Sequence, residues 1–125
     1  VHILILDDEI FFANNLASYL QKSLEANCHV APDFAEALKY LQSHSVDLII
    51  SDLNLTSSKS GAHVLEIEKT FPGNEFAIIS SMAIPADLLN SKTLNITAYF
   101  EKPFELQSLE KFIKQIYLHI THNPT

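Results

Sequence analysis

Five side chains of types that do chemistry lie at or just past the ends of short apolar runs in this 125-residue chain. Asp7 and Asp8 follow residues 1–6, Asp52 follows 46–51, Ser80 follows 76–79, and Lys102 lies just beyond 96–100. If those runs lie side by side and point the same way, three carboxylates, a hydroxyl and an ammonium meet at one edge. Two like charges about 5 Å apart repel by about 3 kcal/mol at an effective dielectric of about 20. Three such acids are tolerable only with a cation between them or with raised pKa values. Hard oxygen ligands in an open, partly hydrated site suit Mg²⁺ better than zinc or copper. A metal held there could bridge to a phosphoryl oxygen, with Lys102 neutralising a second oxygen and the Ser80 hydroxyl donating to a third. That leaves Asp52 to act as a nucleophile towards phosphorus.

The elements that must position these groups are legible as alternating strands and helices. Residues 1–6 form an apolar run without alternation, as in a strand covered on both faces, and the run stops at Asp7-Asp8-Glu9. From Ile10 the spacing turns helical, with Phe12, Leu16, Leu20 and Leu24 recurring every four residues. Residues 28–31 predict a second strand. Asp33 and Glu36 form a capping-box pattern for a helix that buries Ala37, Leu38 and Leu41. The third run ends at Asp52; a polar loop, 56–61, leads to a helix through about Lys69, closed by Pro72-Gly73. A fourth strand covers 76–79, and a helix is expected over 85–94 with Asn95 as a left-handed stop. The fifth strand spans 96–100, and Leu106, Leu109, Ile113, Ile116 and Ile120 mark the last helix. Five strands alternating with five helices imply an α/β, doubly wound parallel sheet covered on both faces. Ligands of such sheets bind at the carboxyl ends of the strands, where the five chemical side chains fall.

Composition narrows the function classes. The length is that of one domain, and a 47% hydrophobic share argues against intrinsic disorder. The formal charge is -7, and all eight positive residues are Lys. Without Arg to fork onto phosphate or guanine, direct nucleic acid binding is not expected. No apolar run approaches the roughly 20 residues needed to span a bilayer, so no membrane association is expected. Cys28 is the single cysteine, which fits a reducing compartment and a cytoplasmic location; it is expected to be a small buried residue. The chain opens at Val1, directly in a strand, as expected of a piece of something longer.

The motifs Leu6-Asp7-Asp8-Glu9, Leu48-Ile49-Ile50-Ser51-Asp52, Ile79-Ser80-Ser81 and Tyr99-Phe100-Glu101-Lys102-Pro103-Phe104 together carry a resemblance. In that order, at those strand ends, the chain resembles the receiver domain of two-component response regulators over about residues 1–119, with 120–125 a polar tail that could lead to an output domain. The resemblance implies a flavodoxin-like sheet of strand order 2-1-3-4-5. It implies that Asp52 accepts a phosphoryl group from the phosphohistidine of a histidine kinase or histidine phosphotransfer protein. It further implies Mg²⁺ as cofactor, held by Asp7, Asp8, Asp52 and the backbone carbonyl of Asn54. Lys102 would contact the phosphoryl group, while Ser80 and Tyr99 would form the switch. Such a domain is a signalling element that assists its own phosphorylation and dephosphorylation rather than an enzyme. Phosphorylated relatives commonly pair through the face of helix four, strand five and helix five. One large subfamily uses Lys/Arg–acid pairs there, and the absence of Arg weighs against that particular dimer.

Departures from the family pattern lie beside the acceptor. The stretch Asp52-Leu53-Asn54-Leu55-Thr56 lacks the usual proline, and the loop to Gly61 is one residue longer than usual. Asn95 replaces a frequent glycine, and Met82 and Asn54 occupy positions that tune hydrolysis in the family. Rival readings are weaker. A flavodoxin-type carrier needs a Ser/Thr/Gly-rich phosphate loop where this chain has Asp7-Asp8-Glu9. A haloacid dehalogenase-type phosphatase needs an acid then Thr, where Glu9 is followed by Ile10. The remaining alternative is a pseudo-receiver, an interaction module that keeps the fold without being phosphorylated. The six histidines read as incidental, including His119 and His122 on one helix face, and the Phe11-Phe12 pair reads as core and helix surface.

Overall fold

A computed structural model of the chain describes residues 1–55, 61–81, 84, 86–89 and 95–121. The elements run β1 (His2–Leu6), α1 (Ile10–Leu24), β2 (Asn27–Ala31), α2 (Phe34–Ser43), β3 (Leu48–Asp52), α3 (Ala62–Thr70), β4 (Glu75–Ser80), α4 (Ala86–Leu89), β5 (Asn95–Glu101) and α5 (Leu106–Thr121). All four pairings are parallel, and the sheet order is β2-β1-β3-β4-β5. Among the described residues four of the helices run for nine residues or more, while α4 covers a single turn. The expected extension of that helix through 90–94 lies outside the described residues, as do Met82, His122 and loop residues 56–60.

The unalternating apolar runs have a direct structural cause. In β1 and β3, successive side chains point to opposite faces, and both faces are covered by helices. Leu4, Leu6 and Ile49 pack with Ala37, Leu41, Val64 and Ile67 of α2 and α3. Ile3, Ile5, Leu48 and Ile50 pack with Ala13, Leu16 and Leu20 of α1 and with Leu109 and Ile113 of α5. Each such Leu or Ile contributes about 1.5–3 kcal/mol on leaving water. The edge strands β2 and β5 are only half covered, so Cys28, on β2, is partly exposed rather than buried. Burial still pushes its thiol up to about 11.

Local sequence sets several helix ends. Asp33 accepts a hydrogen bond from the Glu36 amide at 2.8 Å, the expected cap of α2. Among the described residues the non-glycine position with positive φ lies elsewhere than expected. Glu25 takes φ 54° after α1, whereas Asn95 is the first residue of β5, paired with Glu75. Sheet pairing overrides the turn preference of that Asn. Gly61, before α3, has φ +77°, and a Cβ there would lie 2.6 Å from Leu88 Cδ1 and 2.9 Å from Leu53 Cδ2. Both leucines are almost fully buried and cannot move aside freely. Gly61→Ala should therefore cost about 2–3 kcal/mol in a denaturant unfolding experiment, and an unchanged midpoint would contradict this turn geometry.

Candidate acidic site at the carboxyl edge of the sheet

The strand order reverses direction between β1 and β3, which opens a crevice at their carboxyl ends. Register then decides which side chains meet. Leu6 pairs with Ser51, so Asp7 and Asp52 stand level on adjacent strands. Ser80 pairs with Glu101, and the Lys102 amide donates to the Ser80 carbonyl at 2.7 Å. That anchors Lys102 one residue beyond the edge, within reach of both acids.

Lys102 Nζ lies 3.0 Å from Asp7 Oδ2, 3.1 Å from Asp52 Oδ2 and 3.3 Å from Glu9 Oε2. The same ammonium sits 4.6 Å over the ring of Phe12, a cation–π contact. Asp7 is fully buried; its Oδ1 accepts from the Glu9 amide at 2.9 Å, which turns the chain into α1. Asp52 Oδ1 accepts from the Asn54 amide at 3.0 Å. Carboxylate oxygens of Asp7, Asp8 and Asp52 all lie within 4.8 Å of one another.

The electrostatics follow from burial. Desolvation raises the Asp7 carboxyl above its ordinary value, against the lowering bonds from the Glu9 amide and Lys102. Burial alone would lower Lys102, but its bonds to Asp52 and Asp7 outweigh that, and its pKa is raised. The lysine is therefore charged at neutral pH. Both ways of tolerating clustered acids, a cation between them and a raised pKa, occur together here.

A cavity of about 530 Å³ opens over this cluster, lined by Asp8, Asp52, Asn54, Ser81, Lys102 and Phe104 among others. Ser80 is fully buried at the end of β4, and its neighbour Ser81 lines the cavity instead. Tyr99 is half buried on β5, against the cluster that holds α2 and α3. Among the described residues no helix is long and apolar enough to cross a membrane.

The chain matches the response regulator receiver domain family over residues 3–114. It is a receiver domain of that family. A probable transcriptional regulator, ycf27 of Cyanidium caldarium, is 34% identical over 121 residues, covering 92% of this chain and 45% of that protein. The receiver domain spans about half the length of the curated relatives it matches. A two-component response regulator from Clostridium difficile has the same fold, with a TM-score of 0.83 at 20% identity, covering 96% of this chain and 98% of that one. The response regulator TrrA of Thermotoga maritima, solved with Mg²⁺ and BeF, has a TM-score of 0.76 at 24% identity, covering 92% and 97%. Two-component signalling is thus the setting of this receiver domain.

Several residues at the site carried no signal in the sequence reading. Glu9 and Phe12 contact the Lys102 ammonium, and Ser81 lines the cavity. The larger omission is His63. It is 1% exposed, and its Nε2 lies 2.8 Å from the Asp52 carbonyl oxygen and 2.9 Å from Ser51 Oγ. It is not incidental. By contrast His29 and His44 stack on the Tyr40 ring, with centroids 4.0 and 4.1 Å away.

Proposed function

We propose that Asp52 is the phospho-acceptor of this receiver domain, in a Mg²⁺-dependent transfer from a phosphohistidine. The reading is carried by one observation: Lys102 Nζ joins Asp7 and Asp52 at 3.0 and 3.1 Å beneath an open cavity. In the transfer, an Asp52 carboxylate oxygen forms a bond to phosphorus as the phosphorus–nitrogen bond breaks. The imidazole leaves with the electron pair and takes up a proton. Lys102, held charged by its acid partners, is placed to bind a phosphoryl oxygen.

The donor set fits a divalent cation. Three hard carboxylates converge within 4.8 Å, and Asp8 is only partly buried, leaving a side open to water. Asp7, Asp8 and Asp52 would hold Mg²⁺, with the Asn54 carbonyl as a further ligand in keeping with the family pattern. Bound there, the ion supplies charge neutralisation for the acids and for the arriving phosphoryl oxygens. Ser80 and Tyr99 would relay the change, with the buried Ser80 drawn towards the phosphoryl group and Tyr99 turning inward. The donor would be a histidine kinase or histidine phosphotransfer protein, and the output a changed surface around β5 and α5, including pairing of two copies. Direct nucleic acid binding is not part of this reading.

The experiment is incubation with acetyl phosphate and Mg²⁺, read by intact mass, beside melting across millimolar Mg²⁺. A phosphoryl mass gain that requires Mg²⁺, with a rising melting temperature, is expected. A protein that never gains mass would instead be an interaction module that keeps the fold.

A further inference from the structure

The connection that leaves Asp52 returns at Gly61, at the start of α3. Its two ends are tied together. Gly61 N–H donates to the Leu53 carbonyl at 2.7 Å. Two residues on, His63 reaches back from α3 to the Asp52 carbonyl at 2.8 Å, and the Ser51 hydroxyl donates to that carbonyl at 2.9 Å. A hydrogen on Nε2 satisfies this group, donating to the carbonyl and towards Ser51 Oγ. With the hydrogen on Nδ1 instead, two lone pairs would face each other across 2.8 Å.

The Asp52 carbonyl lies at the very end of β3, one residue past the last β1–β3 ladder position, Leu6↔Ser51, and the residue is 7% exposed. An unpaired carbonyl there would be costly, so the two side-chain donors also anchor the strand end. Asn54, whose amide holds Asp52 Oδ1 at 3.0 Å, hangs directly from this anchor.

We propose that His63 is a positioning residue: with Ser51 it clamps the Asp52 carbonyl and holds residues 52–54 in the arrangement that gathers the carboxylates. The inference rests on the phospho-acceptor reading for its consequence, but the clamp has its own readout. Without the clamp, the competent arrangement is only fractionally populated, and apparent Mg²⁺ affinity falls by that fraction.

The test compares the whole chain with His63→Leu, His63→Gln and Ser51→Ala. Mg²⁺ half-saturation is followed by thermal shift and by titration of the folded protein, and phosphorylation by acetyl phosphate is followed by mass. His63→Leu should raise the Mg²⁺ half-saturation about tenfold and slow phosphorylation at subsaturating Mg²⁺, with the rate recovering as Mg²⁺ saturates. His63→Gln, whose amide N–H reaches the same carbonyl, should restore both to within about threefold. Ser51→Ala should fall between, and it carries the test if His63→Leu does not fold. A lower unfolding midpoint with unchanged Mg²⁺ half-saturation in the variants would reduce His63 to a packing residue and overturn the proposal. A weaker Mg²⁺ half-saturation in His63→Leu, beside a wild type that never gains mass, would support the clamp and sink the phospho-acceptor reading.

Discussion

Asp52→Asn should abolish phosphorylation by acetyl phosphate, with a loss on the order of 10³-fold or more in rate. The amide is nearly isosteric, so the Asn54 amide keeps an oxygen acceptor, but a neutral amide is a poor nucleophile and a weak metal ligand. The fold should survive, because the charge arithmetic favours the substitution. Asp52 loses an attraction to Lys102 of about 5 kcal/mol at 3.1 Å and an effective dielectric of about 20. It also loses repulsions with Asp7 and Asp8, each at least about 3.5 kcal/mol because the separations do not exceed 4.8 Å, together about 7 or more. The variant should therefore melt no lower than the wild type in a chelator. Intact mass after acetyl phosphate treatment, beside melting curves in EDTA, checks both halves. Residual stoichiometric phosphorylation of the variant would move the acceptor elsewhere.

Lys102→Met should have the opposite balance. Methionine fills much of the same volume, but three carboxylates lose their shared cation, and the Asp7 carboxylate is then left buried with only the Glu9 amide bond described for it. Removing one partner of a buried ion pair typically costs about 3–5 kcal/mol. Partial exposure of Lys102, 14% at its side chain, argues for the lower end, about 3 kcal/mol. Denaturant unfolding in EDTA should show that loss, and millimolar Mg²⁺ should recover part of it, since a bound cation replaces the missing charge. An EDTA midpoint equal to that of the wild type would mean that the ammonium does not sit among the acids in solution. Phosphorylation of the variant should be slow even at saturating Mg²⁺, because the residue facing the phosphoryl oxygens is gone.

The acids, the lysine and the order of elements were legible before any coordinates because the relevant physics is local. A strand covered on both faces must be largely apolar, so residues 3–6, 48–50 and 76–79 announce themselves, and the polar residues after each run fall at the sheet's edge. Asp33 and Glu36 mark a helix start through their own backbone bonds, which need no tertiary partner. Asn95 failed as a turn because its pairing with Glu75 depends on where another strand lies.

The sequence by itself determined the sheet, its helical cover and the identity of the groups at its carboxyl edge. Only the tertiary structure decided how those groups share one another. It made Glu9 the third partner of Lys102, put Phe12 beneath the ammonium, exposed Ser81 to the cavity in place of Ser80, and brought His63 back onto the carbonyl of Asp52. Burial patterns repeat along a chain and can be read from it. Which side chains touch across 10 to 95 residues depends on register and on where each helix returns to the sheet, and no local pattern encodes that.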